Sequence, residues 1–329
     1  MGIPRGTARL LLDEHRQRPF HGTLLQFGRS SVYFTWKELT HWARLHRVDL
    51  ASVDEVRLSH DPRLAKQGCI DDTTFFTALG FDRVESCDIS DWEEPDHVMD
   101  LNEPIPAELE GRFDCVLDPG SSLQIFHQPN LLENVHRLVK VGGRVVHAGV
   151  PSNNHVDLGF YMFSPTFFHD FYSANRWKIE SEFLCHYAPY WHRGRFFSPP
   201  WKIYRYTSGC IDHLNYGRFG GRQAAIFMVA TRTEEATGDR VPQLGQYVHS
   251  WQVYDDHRAA AGDEAPELAA GQLPDPEDRS GLGARLEAVA EKVFESVPLV
   301  DRLYRPLKRA KDRLRRLLPQ KMPPLVARY

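Results

Sequence analysis

The sequence predicts an α/β fold with a mostly parallel sheet. Short apolar runs that end in glycine or an acid alternate with segments of helical apolar spacing. Such alternation indicates crossover units, in which a helix connects two parallel strands. Three successive strand candidates also end in a carboxylate, and parallel strands bring their carboxyl ends to one edge of a sheet.

The first half of the chain contains five predicted strands and four predicted helices. The strands are short apolar runs, and the first of them stops at Gly28. The helices have apolar residues three or four positions apart, and Gly80 stands where a helix C-cap belongs. The predicted strands are 23–27, 83–87, 97–99, 113–117 and 144–148, and the predicted helices are 9–17, 35–45, 71–79 and 130–139.

The alternation stops near residue 150. An aromatic-rich segment, 160–174, is predicted as a helix, and residues 177–185 and 223–231 are predicted as strands. No clear helix separates these two strands, so we expect them to pair antiparallel at the edge of the sheet.

The overall composition is that of a soluble globular protein. The 329 residues are 42% hydrophobic and 26% charged, and no run of about 20 apolar residues exists that could span a membrane. The net charge of −4 argues against a nucleic-acid partner. The five cysteines have no spacing of a metal or redox pair, and residues 1–5 lack the layout of a signal peptide. We therefore expect a cytoplasmic protein with free thiols.

The charge pattern divides the chain into three parts. Residues 1–232 form the predicted α/β domain, 233–280 an acidic linker of net charge −8, and 281–329 a helical tail whose last 32 residues carry +8. Within the tail, 306–318 has a narrow leucine stripe on an otherwise basic helix. This pattern suits peripheral contact with an anionic membrane surface at the inner face of the membrane. It equally suits packing on an acidic part of the same molecule or of a partner.

Asp88, Asp100 and Asp118 each end a predicted strand segment. Open α/β sheets bind their ligands at this carboxyl edge, which makes the three acids candidates for a ligand site. Acids at strand ends are also common as turn formers and helix caps. The succession of three favours a ligand edge.

The strand series resembles the class I S-adenosylmethionine-dependent methyltransferases over residues 20–232. The resemblance includes the glycine after the first strand, the acid after the second, and the stretch from Lys140 to Val146 before the fifth strand. Residues 151–165 are similar to a subgroup that accompanies glycan and cell-envelope biosynthesis. The resemblance implies a Rossmann-like, doubly wound sheet of seven strands with an antiparallel last strand, and S-adenosylmethionine as the cofactor.

The resemblance also implies a cofactor site. Its six residues are Gly28, Asp88, Asp100, Leu101, Asp118 and Gly120. A carboxylate after the second strand can accept hydrogen bonds from both ribose hydroxyls, a role that falls to Asp88. Asp100 would accept from the adenine amino group while Leu101 packs on the ring. Gly28 and Asp118 would lie near the ammonium group of the methionine part.

Two stretches depart from the family pattern. The first turn is usually Gly-x-Gly-x-Gly, but here residues 28–31 read Gly-Arg-Ser-Ser, so side chains occupy positions where room is wanted. After the fourth strand the subgroup has Gly-Thr-Leu-Glu-His, whereas residues 120–124 read Gly-Ser-Ser-Leu-Gln. The chain is therefore either a divergent enzyme or a methyltransferase-like scaffold subunit that has lost its cofactor.

Methyl transfer to an acceptor hydroxyl is helped by a general base. His127 and His155 follow the fourth and fifth strands on the expected ligand edge, so they are the predicted catalytic residues together with Asp118. His147 is predicted to be a strand residue that faces a helix. No residue spacing indicates a metal site.

The expected acceptor is a glycan, a glycolipid or another hydroxylated small molecule. Residues 187–206 interleave aromatic side chains with histidine and arginine, a combination that suits a sugar or an aromatic acceptor. The same stretch would serve equally well to cover the sheet or to form the contact of a homo-oligomer. Arginines among aromatic residues also occur where proteins bind single-stranded nucleic acid, but the acidity of the domain counts against it.

Overall fold

The computed structural model describes residues 2–187, 201–211, 222–245, 247 and 324–329. The sheet and its helices lie in a compact unit formed by residues 1–210, 221–242 and 323–329. Most of the predicted aromatic segment 187–206, most of the acidic linker and the basic helix 306–318 lie outside the described residues.

Eleven strands occur in the described residues. Those predicted from the sequence are recovered within a few residues, and the strand at Thr23–Phe27 has the predicted bounds. The strands are β1 (Gly2–Ile3), β2 (Thr23–Phe27), β3 (Ser31–Val32), β4 (Arg83–Asp88), β5 (His97–Val98), β6 (Phe113–Asp118), β7 (Val139–Asn153), β8 (Lys178–Tyr187), β9 (Lys202–Arg205), β10 (Gln223–Thr231) and β11 (Leu325–Arg328).

Six α-helices occur in the described residues, and their caps explain where several of them begin. The helix that starts at Trp36 has a capping box, in which Thr35 and Glu38 bond each other's backbone N–H groups. The helix that starts at Asp72 is capped by Asp71, whose side chain accepts from Thr74. The helices are α1 (Arg5–Gln17), α2 (Trp36–His46), α3 (Pro62–Ala65), α4 (Asp72–Ala78), α5 (Gln128–Leu138) and α6 (Pro165–Ala174).

The strand order confirms a Rossmann-like, doubly wound sheet. The main sheet runs β11-β9-β8-β10-β7-β6-β2-β4-β5, and β7-β6-β2-β4-β5 are parallel. Starting from β2, the chain first adds β4 and β5 on one side and then β6 and β7 on the other, as in dinucleotide-binding folds. The strand β10 lies antiparallel between β7 and β8, which confirms the predicted antiparallel last strand of the domain and its pairing with β8.

The predicted count of seven strands is too low, because β9 and β11 extend the sheet to nine. The strand β8 is therefore an interior strand, not the edge strand expected from the sequence. A separate two-stranded sheet joins β1 to β3. These added strands have only two or four residues, too few to show an alternating pattern. The predicted turn at Gly142–Gly143 lies inside β7, where the register with β6 shifts.

Two apolar layers sandwich the sheet. Leu24 faces the layer built with α1, α2 and α4, while its neighbour Leu25 faces the layer built with α5 and α6. Alternate residues of β6 and β7 divide between the layers in the same way, since successive strand side chains point to opposite faces. Helices on both faces leave the carboxyl edge of the parallel strands open for ligands.

Tyr329 directly follows the strand β11 and joins the edge of the sheet to the first helix. The Tyr329 backbone exchanges hydrogen bonds with Trp201 at 2.9 and 2.5 Å. Its ring lies under the Arg9 guanidinium at 4.4 Å and against the ring of His46, and its hydroxyl donates to Asp13. Tyr329 thus joins an edge strand to α1 and α2.

We expect Tyr329→Ala to lower the free energy of unfolding by about 2 kcal/mol, because it removes a cation–π contact, a buried ring face and a hydrogen bond to a carboxylate. Val326→Ala is the matched control, since Val326 lies in β11, three residues before Tyr329, and is exposed. Urea denaturation of both variants measures the difference. Equal losses for the two substitutions would contradict this role of Tyr329.

Candidate functional site

The candidate site lies at the carboxyl edge beside β2, where the strand order reverses. Gly28 follows β2 with φ of +74°, a conformation that favours glycine, and its N–H donates to the Cys87 carbonyl at 2.7 Å. A methyl group added to Gly28 would be 3.6 Å from a carboxylate oxygen of Asp88 and 3.8 Å from the hydroxyl of Ser121. Glycine therefore leaves a small open space between these two polar groups.

The turn after Gly28 is held by a buried polar network. Asp72, fully buried at the start of α4, accepts from Gln26 at 2.7 Å and from the Ser30 N–H at 3.3 Å. Arg29 forms a salt bridge with the same carboxylate at 3.3 Å. The Arg29 guanidinium is thus bound to α4. The Ser30 N–H donates to two side-chain acceptors, the Asp72 carboxylate and Oε1 of Gln26.

Asp88 is half-buried at the end of β4, the strand end where the sequence placed it, and its ribose-binding role stays a prediction. One of its carboxylate oxygens accepts from the backbone and the hydroxyl of Ser90, at 3.1 and 3.4 Å. The other oxygen is the one that lies beside Gly28. Because Ser90 fixes one oxygen, the carboxylate holds the other oxygen at the open space.

Asp100 and Leu101 lie in the next loop along the edge. Asp100 accepts from the backbone and side-chain amide of Asn102, both at 2.8 Å. Leu101 is only 8% exposed and belongs to the apolar layer beneath α5, and its carbonyl accepts from Asn130 and Asn134. The proposed packing of Leu101 on the adenine stays a prediction, and it requires the ring to reach a side chain that the core already covers.

Asp118 is fully buried and organises the turn after β6. One oxygen accepts from the N–H groups of Gly120 and Ser122, at 3.0 and 3.1 Å, and the other lies 2.8 Å from Nδ1 of His147. Gly120 has φ of +100°, as this tight turn requires. Burial raises the pKa of Asp118, but hydrogen bonds with His147 and Ser122 outweigh it, so the pKa lies below its ordinary value. The predicted ligand and catalytic roles of Asp118 and Gly120 stay untested predictions.

His147 continues this buried chain into α6. Its Nε2 lies 2.8 Å from the hydroxyl of Tyr172, and its ring lies 4.2 Å from that of Phe168. Burial raises the pKa of Tyr172 well above its ordinary value. His147 is thus a strand residue that faces a helix, as predicted, and it ties the end of β6 to the layer of α6.

The two predicted catalytic histidines lie in different surroundings. His127 is exposed at the N-cap of α5, where Nδ1 accepts from the Asn130 N–H at 3.2 Å. His155 lies after β7, with Nε2 3.2 Å from the Tyr187 hydroxyl and Nδ1 3.5 Å from the Gln223 amide. Burial lowers the pKa of His155. Neither ring has a recorded contact with Gly28 or Asp88 among the described residues, so their catalytic roles stay predictions.

Sequence reasoning missed several residues of this edge. Ser121 donates to the Phe27 carbonyl at 2.5 Å and so joins the turn after β6 to the end of β2. Ile89, directly after Asp88, is 67% exposed. An apolar residue exposed beside a candidate ribose acid is a signal that sequence alone cannot give, because exposure is decided by the fold.

Other classes of site find no support in the described residues. No group of three histidines, cysteines and acids there could hold a metal ion, and no described helix is long and apolar enough to cross a membrane. A cavity at the opposite, amino edge is lined by Arg18, Asp114, Lys140 and Arg144. Lys140 forms a salt bridge with Asp114, and the Arg18 and Arg144 side chains donate to backbone carbonyls. None of the five cysteines forms a disulfide.

Comparisons with known proteins find no matching family model and no matching curated protein. Among solved structures, the chain is similar to a 1,6-didemethyltoxoflavin-N1-methyltransferase from Burkholderia thailandensis, with 14% identity, 69% of this chain and 77% of that chain covered, and a TM-score of 0.33. A SAM-dependent methyltransferase from Thermotoga maritima has 12% identity, 70% and 90% coverage and a TM-score of 0.32. A geranyl diphosphate methyltransferase has 17% identity, 69% and 76% coverage and a TM-score of 0.32. Similarity at this level assigns no activity, so the fold rests on the strand order.

We expect Asp118→Asn to lower the free energy of unfolding by about 3 kcal/mol at pH 7, because it removes the charged partner of a buried hydrogen-bond chain. A carboxyl whose folded-state pKa is depressed stabilises the protein above its unfolded pKa of about 3.9 and loses that effect as pH falls through the folded pKa. The difference between wild type and variant therefore narrows below about pH 4.

Urea titrations at pH 7 and pH 3.5 measure this difference. Asp82→Asn is the matched control, because Asp82 is an exposed acid that accepts one backbone hydrogen bond, from Gly22. A difference for Asp118→Asn that stays the same at both pH values would show that its charge does not stabilise the fold.

Proposed function

We propose that the protein is an S-adenosylmethionine-dependent methyltransferase that acts on a hydroxylated small-molecule acceptor. The observation that carries this proposal is the convergence of Gly28, Asp88 and Ser121 at the point where the strand order reverses. Ligands of doubly wound sheets bind at this point, outside the carboxyl ends of the strands. The open space in front of Gly28, which a side chain would fill, supports a ligand that approaches the backbone closely.

In this proposal, different residues of the carboxyl edge contact different parts of the cofactor. Asp88 would accept hydrogen bonds from the two ribose hydroxyls, since Ser90 bonds one of its oxygens and the other lies at the open space. Gly28 would allow the cofactor to pass close to the backbone, and Ile89 and Asp100 would border the adenine. The bound cofactor supplies a methyl group on a positively charged sulfur. The chain's own contribution is to position the acceptor oxygen in line with that methyl group and to remove a proton from it.

His155 is the better of the two candidates for the base. Its lowered pKa keeps the ring neutral at pH 7, which is the form that a base requires. At His127, Nδ1 accepts the Asn130 N–H, so the neutral ring carries its proton on Nε2 and taking up a second proton would break the cap of α5.

A cofactor-free scaffold subunit is the alternative from another functional class. Loss of the family's first-turn glycines and of its Glu-His pair would fit that role. However, the turn is rebuilt by Asp72 and Gln26 around the one glycine that faces Asp88. A protein that no longer binds the cofactor has no need of this arrangement, so the observation favours the enzyme.

We expect wild-type protein to bind S-adenosylhomocysteine in isothermal titration calorimetry and Asp88→Ala to lose at least 100-fold in affinity, since two charge-assisted hydrogen bonds are worth about 3 kcal/mol or more. Asp91→Ala removes an exposed acid from the same loop and is the matched control. Absence of binding to the wild type at millimolar ligand would contradict the enzyme and favour the scaffold.

We further propose that the acceptor belongs to the glycan or glycolipid class and that the basic segment 306–318 contacts the inner face of the membrane. A net positive segment with a leucine stripe would bind anionic lipid through both its charge and its apolar face. Removing the tail is a poor test, because residues 325–328 form a strand of the sheet.

We expect the full chain to float with vesicles that contain phosphatidylserine, and a variant in which the six Lys and Arg residues of 308–316 are replaced by Gln to remain unbound. Each basic residue near the surface contributes about 1 kcal/mol to such binding. A variant with the four arginines of this stretch replaced by lysine keeps the charge and serves as the control. Equal flotation of the wild type and the Gln variant would refute the contact.

A further inference from the structure

An exposed apolar surface adjoins the candidate cofactor site. It is made by the segment that follows β7 together with one residue of the turn that follows β6. We call it the apolar rim, and it consists of Phe126, Val156, Leu158, Phe160 and Met162, which are exposed by 66%, 81%, 48%, 64% and 45%. Val156, Leu158 and Met162 lie within four residues of Phe160 in the chain, and the ring of Phe160 contacts that of Phe126. Exposed apolar patches on soluble proteins mark binding sites.

Packing contacts and hydrogen bonds within the protein fix the position of the rim. Gly159 presses on Leu123 so closely that an added methyl group would overlap its side chain, and the Phe160 N–H donates to the Leu123 carbonyl at 2.8 Å. The rings of Phe126 and Phe160 meet edge to face at 5.4 Å between centroids. The Tyr161 hydroxyl donates to the Phe126 carbonyl at 2.8 Å. The fold therefore holds these apolar side chains at the surface.

The rim continues directly from the candidate cofactor site. The short turn Ser121–Gln124 bonds to β2 at one end, through the Ser121 hydroxyl, and supports Gly159 and Phe160 through Leu123. Asn102, in the loop after Asp100, accepts from the Phe126 N–H at 2.9 Å. A molecule placed on the rim thus lies beside the residues proposed to hold the cofactor.

Several polar groups beside the rim are already hydrogen-bonded within the protein. The Tyr161 hydroxyl donates to a carbonyl, the Asn102 carbonyl group accepts from two N–H groups, and Nδ1 of His127 caps α5. Residues 119–132 contain no Asp, Glu, Lys or Arg, and residues 145–169 contain only Asp157. Asp157 is exposed and is the one charged residue of the segment, so a hydrocarbon chain that binds here removes water from few charges.

We propose that the apolar rim binds the hydrocarbon chain of a lipid-linked acceptor, and so places the acceptor's hydroxyl at the methyl group. This inference rests on the proposed function and narrows its acceptor from the glycan class at large to molecules with a lipid portion. Binding of the acceptor's hydrocarbon chain at the rim would position the acceptor's polar end. It would also add affinity that a sugar without a hydrocarbon chain lacks.

The test uses full-length protein labelled with ¹³C in its methionine methyl groups, because Met162 lies in the rim and the fully buried Met228 reports on the core. Octyl-β-glucoside below its micelle concentration and methyl-β-glucoside share one sugar and differ in the chain. We expect octyl-β-glucoside to shift the Met162 resonance saturably while Met228 stays in place, and methyl-β-glucoside to leave both resonances unchanged.

Phe160→Ser tests the rim itself, and we expect it to weaken octyl-β-glucoside binding at least fivefold. Leu45→Ser is the matched control, because Leu45 is equally apolar and exposed but lies on α2. Since Phe160 is exposed, the variant is expected to fold, and an unchanged Met228 resonance verifies it. Equal binding of both glucosides, no saturable shift of Met162, or the same affinity for Phe160→Ser would overturn the proposal.

Evidence that either of two other occupants covers the rim would also overturn the proposal. If Met162 shifts with protein concentration in the absence of ligand, a second copy of the chain covers the rim. If phosphatidylcholine vesicles shift Met162 and monomeric octyl-β-glucoside does not, the rim contacts the membrane. S-adenosylhomocysteine titrations on the same samples separate the two proposals. If the protein binds S-adenosylhomocysteine but not octyl-β-glucoside, only the proposal about the apolar rim is rejected. If the wild type does not bind S-adenosylhomocysteine, the proposed methyltransferase function is rejected.

Discussion

The carboxylate of Asp118 lies buried at the end of β6, where it accepts hydrogen bonds from Gly120 and Ser122 and contacts His147. These bonds fix the short turn that begins at Ser121. In this turn the Ser121 hydroxyl donates to the Phe27 carbonyl at the end of β2, and the Leu123 carbonyl accepts from the Phe160 N–H in the loop after β7. The open space before Gly28 and the apolar rim therefore depend on one buried acid. Such a charge is tolerated in a low-dielectric interior only because its oxygens are paired.

A second buried acid, Asp72, stabilises the turn after β2, which contains a single glycine. Asp72 belongs to α4, yet its carboxylate bonds Gln26, Arg29 and the backbone of Ser30. The turn has one glycine, Gly28, and the side chain of the next residue, Arg29, bonds a carboxylate of α4. Hydrogen bonds to a carboxylate distant in sequence thus fix the conformation of this turn.

Much of the fold was predictable because burial leaves a local pattern. The strands β2, β6 and β10 are largely apolar runs, as strands covered on both faces require, and their observed bounds lie within one residue of the predicted ones. Shorter elements escaped prediction. The strands β9 and β11 have four residues each and are paired across more than a hundred residues, so neither carries a period of its own.

The sequence by itself determined the parallel α/β core, the faces of its strands, and the acids and glycine that end them, because strand and turn preferences act over a few residues. Only the tertiary structure decided what each end residue does. Asp88 and Asp118 follow similar apolar runs, but one keeps an oxygen beside Gly28 and the other is sealed against His147. Tyr329 meets Asp13 across 316 residues. Such partners are selected when the sheet assembles, since hydrogen bonding and burial depend on neighbours in space.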